Sequence, residues 1–446
     1  MKTAILGSVL LLIMLSIARP GYSDEWFNKR LPQWAKLDVE LRHRYEYMSD
    51  FDFNNTIDDD KGFNLYRARF NFTLQPSDEI KFFSQFQDAR IANDSISGSK
   101  SSYENWNDLR QLWLQIKSDK LTVDNLGLSE VGFTFGRQEL SYGAQRLIGG
   151  FNWSNVAQTF DAGKVTLGFE KHHLSVDIFG GGKTPAKSPR EFDDLYDGSS
   201  NDLLGGYYAV FTGTGGLTVD QYVLSRNTDG KTVSFGHAGD GEVEDYTIGA
   251  RLKGKVPATR FDYEAEMAEQ VGNSGALNVN AQMFIGIIGY SFDHPWKPRA
   301  AFEFNYASGD SDKSDGDRGT FDNLYPTNHL FYGYMDFVSL QNINNYRFQL
   351  SAKPTDKLKL QSDLHLIYLD TPKDNLYAAG RTIKRATTAG AGSHVGNEVD
   401  LTGTYKFNKY ADILVGYSHL FAGDFLKDTG SADDADYGYV QTTLSF

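Results

Sequence analysis

The sequence has no cysteine at all and only 11 prolines in 446 residues. The first absence excludes the disulfide framework on which many small secreted domains depend. The second, set against 44 glycines, suits long paired strands joined by glycine turns. Beyond the N-terminal segment no apolar run is long enough for a transmembrane helix, and mean hydropathy is −0.44. No His-Glu-x-x-His spacing occurs, and the His172-His173 pair has no nucleophile motif beside it, so catalysis is not expected. Positive charge is also short: 44 Lys and Arg stand against 58 Asp and Glu, a net charge of −14. So acidic a chain repels polyanions in bulk, and no nucleic-acid partner is expected.

What is present starts with a targeting segment. Lys2 supplies a positive n-region, Ala4 to Ile17 form an uncharged apolar run, and Gly21-Tyr22-Ser23 places small residues at −3 and −1 of a cleavage site. Residues 1–23 therefore read as a signal peptide for the Sec route, and 24–446 as the mature domain. Cleavage removes Lys2 and Arg19 and leaves the mature chain more acidic still. Aromatics reach 14%, with 25 Tyr and 31 Phe, the residues of interfacial girdles. Trp26 and Trp34 are placed to anchor the lead-in at such an interface. At the C-terminus Val440, Thr442, Leu444 and Phe446 alternate with Tyr439, Gln441, Thr443 and Ser445. A last strand of this kind ending in Phe is the sorting tail of outer-membrane barrels.

Period-two alternation recurs along nearly the whole chain. Asp38, Glu40, Arg42, Arg44 and Glu46 share one face of a strand whose other face is apolar and aromatic. Tyr66, Ala68, Phe70 and Phe72 oppose Arg67, Arg69, Asn71 and Thr73, and Phe302 and Phe304 oppose Arg299, Glu303 and Asn305. One amphipathic strand fits a soluble sandwich, but this density of charge repeated on one face fits a water-filled lumen with lipid outside. Runs begin near residues 37, 63, 79, 108, 130, 159, 173, 205, 216, 243, 259, 280, 297, 343, 357, 396, 409 and 436. Short turns alternate with long polar loops at 48–62, 91–107, 141–158, 181–204, 228–242, 271–280, 309–342, 370–395 and 423–436. The fold class is all-β: a single transmembrane antiparallel β-barrel of about 18 strands, of outer-membrane type.

Any preference for anions in so acidic a chain must come from local placement. Arg42, Arg44, Arg67 and Arg69 fall on the lumen face of adjacent strands, and Arg251, Arg299 and Arg347 share lumen parity on theirs. Guanidinium groups bind carboxylates bidentately and keep their charge at any relevant pH. Balanced by Asp38, Glu40, Asp161 and Glu303, they form weak sequential sites for an anionic solute; the alternative is a set of salt bridges that brace the wall. In the loop Gly309–Asp317, the side chains of Asp310, Asp312, Asp315 and Asp317 are spaced as oxygen ligands for Ca²⁺, though without the EF-hand register. A solvated acidic loop is the simpler reading, and no other cofactor is implied.

Several stretches resemble the alginate-export porin family. Leu109-Arg-Gln-Leu-Trp-Leu114 is similar to one of its strands. Gly136-Arg-Gln-Glu-Leu140, Arg146-Leu-Ile-Gly149, Asn152-Trp-Ser-Asn155 and Phe160-Asp161 resemble its most characteristic block. Asn305–Asp310, Gly319–Asp322, Leu324–Thr327, His329 and Tyr332–Tyr334 look like its long outer loop. The resemblance implies an 18-stranded monomeric barrel narrowing to an arginine-rich constriction for anions such as the polyuronate alginate. It also implies that Arg110 and Arg137 face the pore, against their sequence parity with Leu112 and Phe135, so local bulges are expected. The family's alginate exporter carries a long periplasmic insertion between strands sixteen and seventeen, where this chain has only Asn408-Lys409. The expected function is a passive outer-membrane channel for anionic saccharides or small anions, in contact with lipid and lipopolysaccharide. A general porin is the alternative, and an adhesin or structural barrel a weaker one.

Overall fold

The computed structural model describes residues 28–93, 102–123, 125–185 and 201–446. The signal peptide and Trp26 lie outside them, while Trp34 is half-exposed at the base of the first strand. Eighteen strands form the wall. They are β1 Ala35–Ser49, β2 Lys61–Ser77, β3 Ile80–Ala92, β4 Asn105–Ser118, β5 Glu130–Gln138 and β6 Phe160–Phe169. There follow β7 Leu174–Lys183, β8 Leu203–Thr212, β9 Thr218–Asn227, β10 Val243–Lys255, β11 Phe261–Ser274 and β12 Leu277–Ser291. The last six are β13 Arg299–Ala307, β14 Ile343–Ala352, β15 Leu358–Tyr368, β16 His394–Asn408, β17 Ala411–Ala422 and β18 Ala435–Ser445. Each begins within three residues of the start expected from alternation.

Each strand pairs antiparallel with its neighbours, and β1 closes on β18 from Glu40 opposite Ser445 to Ser49 opposite Asp436. Closure satisfies backbone groups that lipid cannot, and it leaves no open edge. Phe70, Phe72, Phe133, Phe135, Ile248, Met267, Phe348 and Leu401 are exposed on the outer face, whereas Arg42, Arg67, Arg251 and Arg347 on the opposite parity are buried. The chain thus keeps its apolar residues outward and its charges inward, the reverse of a soluble domain.

One expected loop does not exist. β11 and β12 run through the polar stretch 271–280 and turn tightly at Gly275-Ala276, where Gly275 adopts φ +58°. Alternation past the apolar band is polar on both faces, so it reads as loop although the ladder continues.

The lumen also departs from an open, water-filled tube. Loops 139–159 and 308–342 fold inward and build one apolar cluster with the wall. Phe321, Leu324, Tyr325 and Tyr332 from the second loop are at most 1% exposed and pack with Leu147 and Ile148 from the first. At roughly 1.5–3 kcal/mol for each large side chain buried, these loops are folded parts of the molecule.

Candidate functional site

Loop 139–159 crosses the lumen against β1 to β4, and arginines hold it there. Arg42 stands directly opposite Arg67 in the β1–β2 ladder, a like-charge pair that needs compensation. The loop backbone supplies it. Arg42 Nη1 donates to the Asn152 carbonyl at 2.9 Å and its Nη2 to the Ser154 carbonyl at 3.2 Å. Arg67 Nη1 donates to the same two oxygens at 3.1 Å each, while its Nη2 meets Glu40 at 2.7 Å. Arg44 donates to Glu46 at 2.6 Å and to the Trp153 carbonyl at 2.8 Å. Arg69 reaches Gln87 and the Asn152 side chain, both at 2.7 Å. A loop entering a lumen carries carbonyls that need donors, and a guanidinium offers five N–H groups in a rigid fork.

Arg110 joins this group through the expected bulge. Gln85 pairs with Gln111 and Phe86 with Leu109, so Arg110 is the extra residue and turns inward. It donates to Gln85 at 2.6 Å and forms an ion pair with Glu139.

Arg137 is different, and the expectation for it is corrected. Its strand shows no shift of register: Arg137 pairs with Leu112 on one side and Asp161 on the other. Direct partners share a face. Phe160, next to Asp161, packs inside the lumen against Tyr325, which leaves Arg137 and Asp161 on the outer side at the extracellular end of β5. Asp161 takes Arg137 bidentately at 2.8 and 3.1 Å, so the outward charge is neutralised rather than redirected. Gly136 beside it adopts φ +117°, where a Cβ would lie 2.2 Å from the Leu112 carbonyl.

Across the lumen the remaining arginines are matched by carboxylates. Arg251 pairs with Asp220 and Glu264 at 2.9 and 3.0 Å, and Arg299 with Asp262 at 2.6 Å. Arg347 meets Asp363 at 2.9 Å and Glu303 at 3.3 Å. Glu303 also receives Arg146 of the inward loop at 2.7 Å. Arg146 escaped the alternation argument because it sits in a loop; its signals are a charge beside the apolar pair Leu147-Ile148 and its place in a block that resembles the family. Asp220, Asp262, Glu264 and Asp363 were missed as partners because cross-strand register is invisible to a single strand, and Glu139 because it lies in the inward loop; Glu46 shares the face of Arg44 but was not singled out as its partner. Asp38 pairs with Lys36 at 2.7 Å near the periplasmic mouth and does not join the arginines.

The four aspartates of the outer loop are not brought together. Asp310 is buried with its Oδ2 3.1 Å from His237 Nε2, Asp312 accepts from Ser314, Asp315 from the Asp317 amide, and Asp317 from Asn278. Among the described residues no three His, Asp or Glu side chains converge as metal ligands. Three of these carboxylates bond within their own loop or to β12, which is how a short acidic turn satisfies its amides.

Two cavities flank the inward loops. One of about 720 Å³ opens outward and is lined by Arg110, Lys183, Lys231 and Arg381 with Asp108 and Asp202. The other, about 640 Å³, lies towards the short-turn end and is lined by Arg146, Arg299 and Arg347 among others. No residue lines both.

Several solved structures with this architecture are outer-membrane porins. OccK5 (OpdH) of Pseudomonas aeruginosa superposes with a TM-score of 0.58 at 14% identity, covering 92% of this chain and 98% of its own. A BenF-like porin from Pseudomonas fluorescens Pf-5 gives 0.59 at 11% identity, covering 93% and 99%. OccK2 (OpdF) of Pseudomonas aeruginosa, determined in complex with glucuronate, gives 0.57 at 10% identity, covering 92% and 96%. At such identities the likeness is one of fold. No curated protein matches the chain. The sequence pattern described as alginate export matches residues 33–440, nearly the whole barrel, and the chain therefore belongs to the alginate export family of outer-membrane channels.

Proposed function

We propose that this outer-membrane channel passes anionic solutes, with carboxylated saccharides as the favoured class, past an arginine wall on β1 to β4. The carrying observation is the set of arginines there that no carboxylate answers. Arg42, Arg44, Arg67, Arg69 and Arg110 crowd together there, and among the described residues Arg42 and Arg69 have no carboxylate partner. Arg69 Nη2 and the Nε groups of Arg42 and Arg110 are buried without an acceptor. A solute carboxylate is a better acceptor than the loop carbonyls that now occupy this wall. The opposite wall supports a different role: Arg251, Arg299 and Arg347 are each matched by carboxylates and brace the barrel. In this reading one barrel is the conduit, set in lipid and lipopolysaccharide, and the closed ladder of β1 with β18 gives it a continuous wall.

Reversal potentials of the purified protein in planar bilayers under a salt gradient test the reading. Anion preference is expected. Neutralising Arg67 and Arg69 together moves the permeability ratio towards cations if the wall selects; cation preference in the unaltered protein sinks the proposal. Glucuronate is the first blocking solute to try.

A further inference from the structure

The arginines account for the middle of the lumen and leave the lysines unexplained. The fold gathers three of them around the 640 Å³ cavity: Lys253, Lys255 and Lys359, with Gln349, Gln361 and Tyr334 beside them. Register sets their direction. Lys253 stands opposite Glu264 and Lys255 opposite Asp262, on the face that carries Arg251. Lys359 stands opposite Thr404, on the face of Glu398 and Asp400. All three ammonium groups therefore enter the lumen just above the short connections 256–260 and 353–357, at the periplasmic mouth.

The carboxylates opposite Lys253 and Lys255 are already engaged. Asp262 is held bidentately by Arg299 and Glu264 by Arg251. Among the described residues none of the three lysines has a carboxylate within 4.0 Å. Lysines without partners on the inner face of a chain of net charge −14 form a local positive field that the overall composition hides. An ammonium on a flexible stem is a hydrated point charge, suited to weak and exchangeable capture rather than to the rigid grip of a guanidinium. The amides of Gln349 and Gln361 and the Tyr334 hydroxyl, which accepts from Gln361 at 3.3 Å, supply the donors and acceptors that sugar hydroxyls need.

We infer that this chamber is a loading site at which a carboxylated saccharide arriving from the periplasm docks before it meets the arginine wall. The inference rests on the anion-channel reading above and adds to it a site and a side of entry.

Barrels of one orientation in a planar bilayer provide the test, with a galacturonate tetramer added to one side at a time and a neutral maltotetraose as control. Addition on the periplasmic side is expected to give brief current blockades. Changing Lys253→Gln, Lys255→Gln and Lys359→Gln together should lower their association rate by 10-fold or more. These lysines are solvent-exposed, and unchanged conductance in simple salt shows that the variant is folded. The salt-gradient reversal potential, set by the arginines, should keep its sign, so a failure of anion selectivity is distinguishable from a failure of the loading site. The site is overturned if the triple variant blocks as often as the parent, if the neutral tetramer blocks equally well, or if only extracellular addition produces blockades.

Discussion

The guanidinium of Arg44 lies 3.9 Å above the centre of the Trp153 ring while donating to the carbonyl of the same residue at 2.8 Å. One strand residue thus grips the loop tip by both backbone and side chain. The other face of Trp153 stacks on His329 at 3.9 Å and 9°, and His329 stacks in turn on Tyr334. Wall, first inward loop and second inward loop are joined in a single pile.

Trp153→Ala removes the middle of that pile. A cation–π contact together with an aromatic stack contributes about 1–3 kcal/mol to loop docking. The barrel should still form, but the loops should open more often. Larger and noisier single-channel currents than the parent are expected; identical traces would mean that the stack does not hold the loops.

Glu303→Gln should act on stability. This buried carboxylate serves both Arg146 and Arg347, and Arg347 keeps Asp363 while Arg146 has no second carboxylate among its close contacts. Breaking a buried pair from one side costs about 3–5 kcal/mol. Unfolding in denaturant, followed by the electrophoretic shift of the folded barrel, should show a lower midpoint. Arg299→Gln, at a half-exposed pair, should shift it much less.

Gly136→Ala tests the kink beside Arg137. At φ +117° a side chain is strained, and here the new methyl would overlap the Leu112 carbonyl. A loss of about 1–3 kcal/mol is expected. Gly163→Ala, where the added methyl meets nothing within 4 Å, is the neutral control.

The second inward loop should tolerate acid. Burial alone would raise the Asp322 carboxyl, but Arg226, Arg381 and Arg318 outweigh it and hold the group well below the usual carboxylate range. A depressed carboxylate contributes stability that is complete above its unfolded value and is lost only as pH falls through the folded one. Limited proteolysis of loop 308–342 should therefore be unchanged from pH 7 down to about pH 4, near the unfolded Asp value. In Asp322→Asn the three arginines lose their shared counter-charge, and the loop should be cut faster at every pH. Equal cutting of parent and variant would show that Asp322 does not hold the loop.

The barrel was readable because its code is short. Alternation at Arg42, Arg44, Arg67 and Arg69 puts charge on one face whatever lies far away in sequence, and the same rule placed all eighteen strands. The inward loops were not readable, since nothing local in Asn152-Trp-Ser-Asn155 says that its carbonyls meet guanidiniums more than eighty residues earlier. Arg110 and Arg137 show the limit. Both break parity next to apolar neighbours; one is turned in by a bulge and the other stays outside with Asp161, and only the ladder tells them apart. The stretch 271–280 misled for a related reason, because a strand that leaves the bilayer loses the apolar face that betrays it.

The seam between β1 and β18 has a kinetic meaning. Its partners, such as Glu40 and Ser445, stand at opposite ends of the chain, whereas every other wall contact joins neighbouring strands. Non-local pairings are the slow ones, since loop-closure entropy must be overcome before they form. Hairpins can zip early and locally, but the final join cannot begin until the last residue has been delivered. A chain shortened by β18 would therefore stall as an open, edge-bearing sheet, and the commitment to a sealed molecule rests on its last eleven-residue strand.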